Sequence, residues 1–298
     1  MALHAWRYLV IDRIHISVGI GSKELHGFAV SQLKGLKDIQ NDLVPNGKIT
    51  LSLNDYVTRL NYYPTKKLKA AEIAVGVTKS KHCYFRLGLY PAKFQKGQFE
   101  HFKKMLGDLL PDFCYPKLFE TGRVSYVEWA VDSLSHAAHS FIPFRGKCSC
   151  SSIFIDQQGT MGSTYIGSAK STQYHCIYDK TKQQLEKNLV PAYKMQTRIE
   201  ARCRHIGLSP SELVMEMGNP FASLEVADLR AARKVSNDSA WQKFLDRSLE
   251  VGSAGAFAPQ SKYQRMKFMT MLRGAAAPWW NPANVWKDVP RAMDTIAP

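Results

Sequence analysis

Strand-like runs separated by a short polar turn occupy the middle of the chain. Thr164–Gly167 and Tyr174–Tyr178 flank the turn Ser168–Thr172, a Lys-rich helical segment follows, and Met195–Arg202 is a further strand-like run. Alternate residues of a strand share one face, so polar side chains on neighbouring strands can converge. This region therefore predicts a sheet that brings tyrosine, aspartate, lysine and glutamate side chains together, and we expect the chain to be organised around that cluster.

The remaining runs predict an α+β fold, with a mixed or antiparallel sheet and flanking helices. Apolar residues recur every three to four positions over Ala29–Leu43 and Gln98–Leu110, as on one face of a helix. The other runs before residue 208 are typical of strands. These further predicted strands are Trp6–Val18, Lys48–Leu60, Leu68–Thr78, His82–Leu89, Val124–Asp132 and Ser151–Ile155.

The sequence changes character after Leu208. Ser209-Pro210-Ser211-Glu212 predicts a helix start with proline near the first turn, and helical runs continue to about Glu250. Gly252–Pro259 is predicted to be a linker of small residues. We therefore expect an α+β domain over residues 1–208 and a helical C-terminal region over residues 209–298, in which DNA recognition is a candidate role.

The chain is strongly basic. Its 298 residues include 40 Lys and Arg against 25 Asp and Glu, a formal net charge of +15. This excess favours a polyanionic partner through phosphate contacts and counterion release, without distinguishing DNA, RNA and an acidic membrane surface. Since 45% of the residues are hydrophobic, the chain can bury a core and we expect it to fold.

Several functional classes lack their motifs. The sequence has no GxxxxGK[ST], GxGxxG, GxSxG or HExxH, so a P-loop, a dinucleotide site, a serine hydrolase and a zincin are not supported. No run approaches the ~20 apolar residues of a membrane span, and the first residues do not read as a signal peptide. Six cysteines without zinc-finger or disulfide spacing predict free thiols. We expect a cytoplasmic protein that does not contact membranes.

Two carboxylates lie on one face of the predicted strand Val124–Asp132. Glu128 and Asp132 point the same way, with the small Ala130 between them. This arrangement leaves room for a hard divalent cation such as Mg²⁺ or Mn²⁺. The alternative is two solvated charges at the end of a strand.

A third carboxylate, Glu200, shares a strand face with Arg198 and Arg202. A structural ion pair is the alternative to a chemical role here. Tyr178 is followed two residues later by Lys180 on the same face, and a nearby cation favours the phenolate. A phenol has an ordinary pKa of about 10, so it needs such activation; otherwise a tyrosine in a strand is a core aromatic.

Taken in order, these residues resemble the replication-initiation-factor family of plasmids and filamentous phages, the rolling-circle initiators, to which relaxases of integrative elements are related. The resemblance runs from about Val124 to Arg204 and departs from the family at three positions. Ala169 and Cys176 stand where the family has arginine, and Glu128 stands where it has aspartate. The matching motifs are Tyr165-Ile166-Gly167-Ser168, Ser171, Tyr178-Asp179-Lys180 and Arg198-Ile199-Glu200.

The resemblance implies a tyrosine nuclease that requires a divalent metal. Its nucleophile falls on Tyr178, with Lys180 beside it and Tyr165 as the second choice. Its metal ligands fall on Glu128, Asp132 and Glu200. The other candidates are Asp179 and Arg198 for metal or phosphate contacts, and Lys170, Arg202, Lys262, Arg265 and Lys267 for DNA contacts.

The expected function is origin-specific nicking and closing of DNA that initiates rolling-circle replication. The partners are then a double-stranded origin, an exposed single strand, a host polymerase and, because the P-loop motif is missing, a host helicase; a homodimer is a candidate assembly. The alternatives are a relaxase of a mobile element, a non-catalytic basic protein that binds DNA or RNA, and a structural protein whose acids only form ion pairs. Metal-dependent nicking would exclude the last two.

Overall fold

The computed structural model describes residues 8–36, 47–54, 56–65, 68–134, 136–146, 150–155, 161–191 and 193–298. Antiparallel strands and flanking helices form an α+β fold with a helical C-terminal region, which confirms the predicted fold class. The strands are β1 (Val10–Ile20), β2 (Lys48–Leu53), β3 (Val57–Tyr63), β4 (Ala71–Val77), β5 (Cys83–Leu89), β6 (Arg123–Ser133), β7 (Phe141–Phe144), β8 (Ser151–Ile155), β9 (Met161–Ile166), β10 (Gln173–Asp179), β11 (Thr197–Arg204) and β12 (Glu225–Asp228). The helices are α1 (Lys23–Gly35), α2 (Gln98–Leu109), α3 (Tyr115–Thr121), α4 (Lys180–Glu186), α5 (Leu213–Glu216), α6 (Leu229–Val235), α7 (Ser239–Phe257), α8 (Lys262–Gly274), α9 (Pro282–Trp286) and α10 (Val289–Asp294).

Two compact units make up the chain, and each is assembled from separate segments. The first unit contains Ile11–Glu128, Arg204–Met217 and Pro290–Pro298. The second contains Met1–Val10, Trp129–Cys203 and Gly218–Val289. The predicted division after residue 208 stays a prediction. Within the described residues, no helix combines the length and the apolar character that crossing a membrane requires.

The first unit is an antiparallel sheet with one apolar face. Its strands lie in the order β2-β3-β4-β5-β1, followed by the first part of β6. Ile73 pairs with Leu87, and Ile14 pairs with Leu89, so these buried side chains form one continuous surface. Helix α1 contacts β3, β4 and β5, and α2 adds Phe102, whose ring centroid lies 5.1 Å from that of Tyr62. Alternation along each strand leaves the polar side chains on the opposite face.

The second unit contains the last part of β6 followed by β11, β10, β9 and β8. A separate two-stranded sheet pairs β12 with β7, and helices α6, α7 and α8 pack with it around a core of aromatic residues. Trp241, Phe244 and Phe268 are all buried there, and the indole Nε1 of Trp241 donates to the carbonyl oxygen of Ala232 at 2.9 Å. This core keeps the C-terminal helices in place within the unit.

Two predictions for the first unit need correction. Lys48–Leu60 does not form one strand, because the Asn54 side chain accepts hydrogen bonds from the backbone N–H groups of Tyr56 and Val57 and turns the chain between β2 and β3. The predicted helix Ala29–Leu43 begins earlier, at Lys23, because Ser22 caps the N–H of Leu25. The last part of the predicted helix, residues 37–43, lies outside the described residues.

The predicted linker Gly252–Pro259 is wrong, because Gly252–Phe257 continues helix α7. The helix kinks at Gly252, whose φ of 79° glycine tolerates. Small residues beyond the kink let the helix approach its neighbours closely: Ser151 Oγ accepts from the backbone N–H of Ala254 at 3.0 Å. The strand β12 within the predicted helical region was also missed, since its partner β7 lies about 80 residues earlier in the chain.

Candidate active site

One face of strands β9, β10 and β11 carries a concentration of polar side chains. The register places Cys176 opposite both Tyr165 of β9 and Glu200 of β11, so these three side chains form a row across the sheet. Tyr178 pairs with Arg198 in the same register. Side chains two residues apart on a strand share a face, so the register of these three strands is enough to bring the predicted cluster together.

The centre of this face is a hydrogen bond between Tyr178 and Glu200. The phenol Oη donates to Glu200 Oε1 at 2.6 Å, and both side chains are buried. The Nζ of Lys180 lies 3.4 Å from the same Oη and 2.9 Å from Oε1 of Gln183. The tyrosine, the lysine and the glutamate that the sequence predicts to converge thus lie in direct contact.

Arg202 completes this group from the neighbouring position on β11. Its Nη2 and Nε donate to Glu200 Oε2 at 2.7 and 3.0 Å, and its Nη1 donates to the hydroxyl of Tyr174 at 3.4 Å. Glu200 therefore accepts from a phenol on one oxygen and from a guanidinium on the other. A carboxylate placed in this way can take the proton of the phenol, while the arginine supplies positive charge beside it.

Asp132 is engaged by a different arginine. Arg198 Nε lies 2.7 Å from Oδ1 and Nη2 lies 2.8 Å from Oδ2, a bidentate pair in which both side chains are almost completely buried. Planar bidentate pairing of this kind is the strongest arrangement that arginine makes with a carboxylate. Both oxygens of Asp132 are therefore used by Arg198.

Glu128, the last residue of the first unit, has its own partners. The Tyr126 hydroxyl donates to Glu128 Oε1, and Arg13 Nε lies 3.8 Å from Oε2. Neither partner was singled out from the sequence. Tyr126 lies two residues before Glu128 on the same strand face, which is the one sequence signal that could have identified it.

The predicted metal ligands have partners within their own units, Glu128 in the first and Asp132 and Glu200 in the second. Carboxylates suit Mg²⁺ or Mn²⁺ chemically, but each of these has an arginine partner. Among the described residues, no group of three or more His, Cys, Asp or Glu side chains is placed to hold a metal ion. A cation would have to displace Arg198 from Asp132 and Arg202 from Glu200.

Tyr165, the second-choice nucleophile, has a different environment. Burial and the neighbouring Cys176 raise the pKa of its phenol to about 12. Its ring lies at 75° to that of Phe154, with the two centroids 5.3 Å apart. A phenol with a raised pKa is harder to convert to the nucleophilic phenolate.

The remaining predicted contacts lie at several places. Asp179 caps helix α4 by accepting from the N–H of Lys182 at 2.9 Å. Lys170 is exposed on the turn between β9 and β10. Lys262 is exposed at the start of α8, whereas Arg265 donates to the carbonyl oxygen of Ala258 at 2.7 Å and Lys267 lies 3.4 Å from an oxygen of Asp238.

Comparison with known proteins confirms the resemblance for the stretch that carries this face. Residues 143–252 match the family model described as replication initiation factor. No curated protein matches the chain. A rolling circle replication initiator protein from Geobacillus stearothermophilus is similar at 11% identity and a TM-score of 0.40, over 83% of this chain and 98% of that one. DynU16, from the dynemicin biosynthetic locus, is similar at 6% identity and a TM-score of 0.20, over 83% and 97%.

Proposed function

We propose that the chain is an origin-specific nicking-closing enzyme that initiates rolling-circle replication through Tyr178. The observation that carries this proposal is the 2.6 Å hydrogen bond from Tyr178 Oη to Glu200 Oε1, inside the stretch that matches the replication initiation factor model. A structural tyrosine needs a hydrogen-bond partner, but it does not need a lysine beside its hydroxyl or a buried carboxylate that is itself paired with an arginine. This combination is typical of an activated nucleophile.

In the proposed reaction Tyr178 Oη attacks the phosphorus of the scissile phosphodiester. The phenol proton passes to Glu200, the bond from phosphorus to the tyrosine oxygen forms, and the bond to the 3′ oxygen breaks. The products are a 5′-phosphotyrosine and a 3′-hydroxyl, whose proton comes from water. Closing is the reverse displacement, in which a 3′-hydroxyl attacks the phosphotyrosine.

Two cations act on the charge that develops in this displacement. Lys180, 3.4 Å from the attacking oxygen, stabilises the phenolate and the entering phosphate. Arg202 holds Glu200 in place and offers a guanidinium to the phosphate oxygens. Electrostatic stabilisation and positioning provide most of the rate in phosphoryl transfer. Metal assistance by Glu128, Asp132 and Glu200 stays a prediction.

The DNA partner follows from this chemistry. A basic chain that nicks an origin must bind the duplex and hold an exposed single strand, for which Lys170 and Lys262 are exposed candidates. A host helicase would unwind the nicked duplex and a host polymerase would extend the 3′-hydroxyl. A relaxase of a mobile element would use the same tyrosine chemistry, so the substrate rather than the site distinguishes the two functions.

The test is a nicking assay on supercoiled plasmids that carry fragments of the replicon encoding the chain. We expect conversion to open circles and a covalent adduct whose tryptic peptide contains Tyr178. Tyr178→Phe should abolish both, whereas the matched variants Tyr165→Phe and Tyr174→Phe should keep the adduct. An adduct that persists in Tyr178→Phe would refute the assignment.

Parallel reactions with Mg²⁺, with Mn²⁺ and with EDTA test the predicted metal. Loss of nicking in EDTA with recovery in either cation would support it. If the chain binds DNA in a salt-dependent manner but forms no adduct with any of these additions, it is a binding protein and not a nuclease.

A further inference from the structure

The polar face of the first unit's sheet carries cations and aromatic rings that the proposed chemistry does not use. Register places Arg59 of β3 opposite Ala74, and Ala74 opposite Arg86 of β5. Arg86 in turn pairs with Ser17 of β1. Because paired residues share a face, this surface is continuous across four strands, opposite the face that α1 covers.

Two glycines let rings come close to this surface. A Cβ built on Gly76 would come within 2.9 Å of the Tyr84 hydroxyl, and one built on Gly88 would come within 3.1 Å of the His15 ring. Any side chain at these positions would therefore lift the rings away from the sheet. Burial, together with the charge of Arg86, lowers the pKa of His15 to about 4, so its ring is neutral near pH 7.

Cations are interleaved with further rings on the same unit. Arg13 lies over the ring of Tyr90 with its Cζ 4.8 Å from the centroid, and Lys69 Nζ lies 5.3 Å from that centroid. Lys48 Nζ lies 4.8 Å from the centroid of Tyr63. Such pairs keep the charges near the aromatic surface and their long side chains extended along it.

The charge of this face is positive. Glu72 is paired with three cations at once: Lys69 at 2.9 Å, Arg86 at 3.1 Å and Arg59 at 3.3 Å. The arginines remain substantially exposed, with 40% of the Arg59 side chain and 29% of the Arg86 side chain accessible. Four of the described cations on this face pair with the acids Glu72 or Glu128, and Lys48 lies over a tyrosine ring. These four are Arg13, Arg59, Lys69 and Arg86.

We propose that this sheet face binds single-stranded DNA, with its cations on the phosphates and the exposed edges of its tyrosine rings against the bases. A positive surface that also carries aromatic rings is the arrangement that holds single strands with little sequence preference. The inference rests on the proposed function for the identity of the ligand, since nicking an origin exposes a single strand. It adds a second DNA contact, in the first unit, to the predicted contacts on β9–β11 and α8.

The test measures binding of a fluorescent 30-residue oligo(dT) and of a duplex of equal length by anisotropy, using the full chain with Tyr178→Phe so that no adduct forms. The double variant Lys48→Gln/Arg59→Gln removes two cations, while Glu72 keeps Lys69 and Arg86 as partners. Each lost contact changes the slope of log affinity against log salt by about 0.7, so affinity for oligo(dT) should fall about 25-fold at 0.1 M salt.

The matched control is Lys23→Gln/Lys34→Gln. It removes the same charge from exposed positions on helix α1, which packs on the opposite, apolar face of the sheet. We expect its affinity to change far less. Equal losses in the two double variants would show a diffuse charge effect and overturn the proposal, as would a loss confined to the duplex.

Tyr84→Leu tests the aromatic contribution separately. Removing a stacking ring should weaken oligo(dT) binding by about fivefold or more with an unchanged salt slope, because stacking releases no counterions. Unchanged affinity would remove the rings from the proposal, and circular dichroism and thermal melting of each variant check that the sheet is intact.

The two proposals fail in different ways. If Tyr178 forms the adduct in the unmutated chain but adding Lys48→Gln/Arg59→Gln to Tyr178→Phe leaves oligo(dT) affinity unchanged, only the sheet-face inference is wrong. If no adduct forms while that variant loses oligo(dT) affinity, the face binds DNA and the nicking function is wrong.

Discussion

Glu200→Gln is the substitution that bears most directly on the proposed chemistry. Glutamine has the same length and can still accept a hydrogen bond from Tyr178 Oη, which lies 2.6 Å from Glu200 Oε1, but it cannot take up the proton. A positioned general base contributes about 10²–10⁴-fold to a reaction rate. We therefore expect the single-turnover nicking rate to fall by a factor in this range while DNA binding is retained.

The pH dependence of the variant is the more specific readout. Without a proton acceptor only the ionised phenol attacks, and a phenol has an ordinary pKa of about 10. The nicking rate of Glu200→Gln should therefore rise about tenfold per pH unit between about pH 7 and 9. The unmutated chain passes the proton to Glu200 and should show a much flatter profile. A flat profile in the variant, or a rate within about threefold of the unmutated chain, would refute the role of Glu200.

Loss of the ion pair is the competing explanation for low activity. Glu200 is 1% exposed and Arg202 is 22% exposed, so removing the carboxylate leaves a mostly buried guanidinium with a weaker acceptor, at a cost of about 1–3 kcal/mol in the free energy of unfolding. The double variant Glu200→Gln/Arg202→Gln removes that charge too. If the stability of the double variant recovers while nicking stays low, misfolding does not explain the defect, and the pH profile of Glu200→Gln then separates the lost proton acceptor from the lost guanidinium; thermal melting measures the stability.

Three further predictions concern stability. Asp132→Asn leaves the buried Arg198 without its counter-charge, so the free energy of unfolding, measured by urea denaturation, should fall by about 3–5 kcal/mol. The double variant Asp132→Asn/Arg198→Met should recover most of that loss. Burial lowers the pKa of His175 from 6.5 to about 4, so the stability that its neutral ring contributes is present above pH 6.5 and is lost as the pH falls toward 4. His175→Gln should therefore reduce the fall in the free energy of unfolding between pH 6.5 and 4 by up to about 3 kcal/mol. An unchanged dependence of stability on pH would count against this prediction. Gly252→Ala forces a φ of 79° and a steric overlap, so it should lower stability by about 1 kcal/mol or more, whereas Gly274→Ala, which meets nothing within 4 Å, should not.

The elements of the fold could be predicted where local periodicity decides them. Strands β5 and β10 and helix α2 begin and end close to the predicted residues, because alternation and three- to four-residue spacing are visible in short windows. The hairpin between β2 and β3 was missed because Asn54 ends the strand by a side-chain contact within an otherwise strand-like run. Periodicity does not report such a contact.

Elements that depend on distant partners could not be predicted. The four residues of β12 become a strand only because β7 supplies hydrogen bonds, and a four-residue run has no clear period of its own. The helical stretch after Gly252 looks like a linker because its residues are small. The structure uses that smallness for close packing, in which Ser253 Oγ donates to the carbonyl oxygen of Pro143 at 2.9 Å.

The candidate site also contains features that could be predicted from the sequence and features that could not. Tyr178 and Glu200 could be expected to meet, because they lie on one face of strands that are close in sequence, and Lys180 follows Tyr178 by two residues at the start of helix α4. The pairing of each arginine with its carboxylate could not be predicted, because it depends on which strand lies next to which in the sheet. Arg198 turns to Asp132 on β6 and leaves Arg202 with Glu200.

This pairing changes what the carboxylates can do. An unpaired cluster of acids beside Tyr178 would repel a phosphodiester and would need a cation to admit it. With an arginine on both Asp132 and Glu200, the face already balances its negative charge. In the proposed function the approaching phosphate competes with Glu200 for Arg202, so the guanidinium passes to the phosphate oxygens as Tyr178 gives its proton to the carboxylate. The arginine thereby couples substrate entry to activation of the nucleophile.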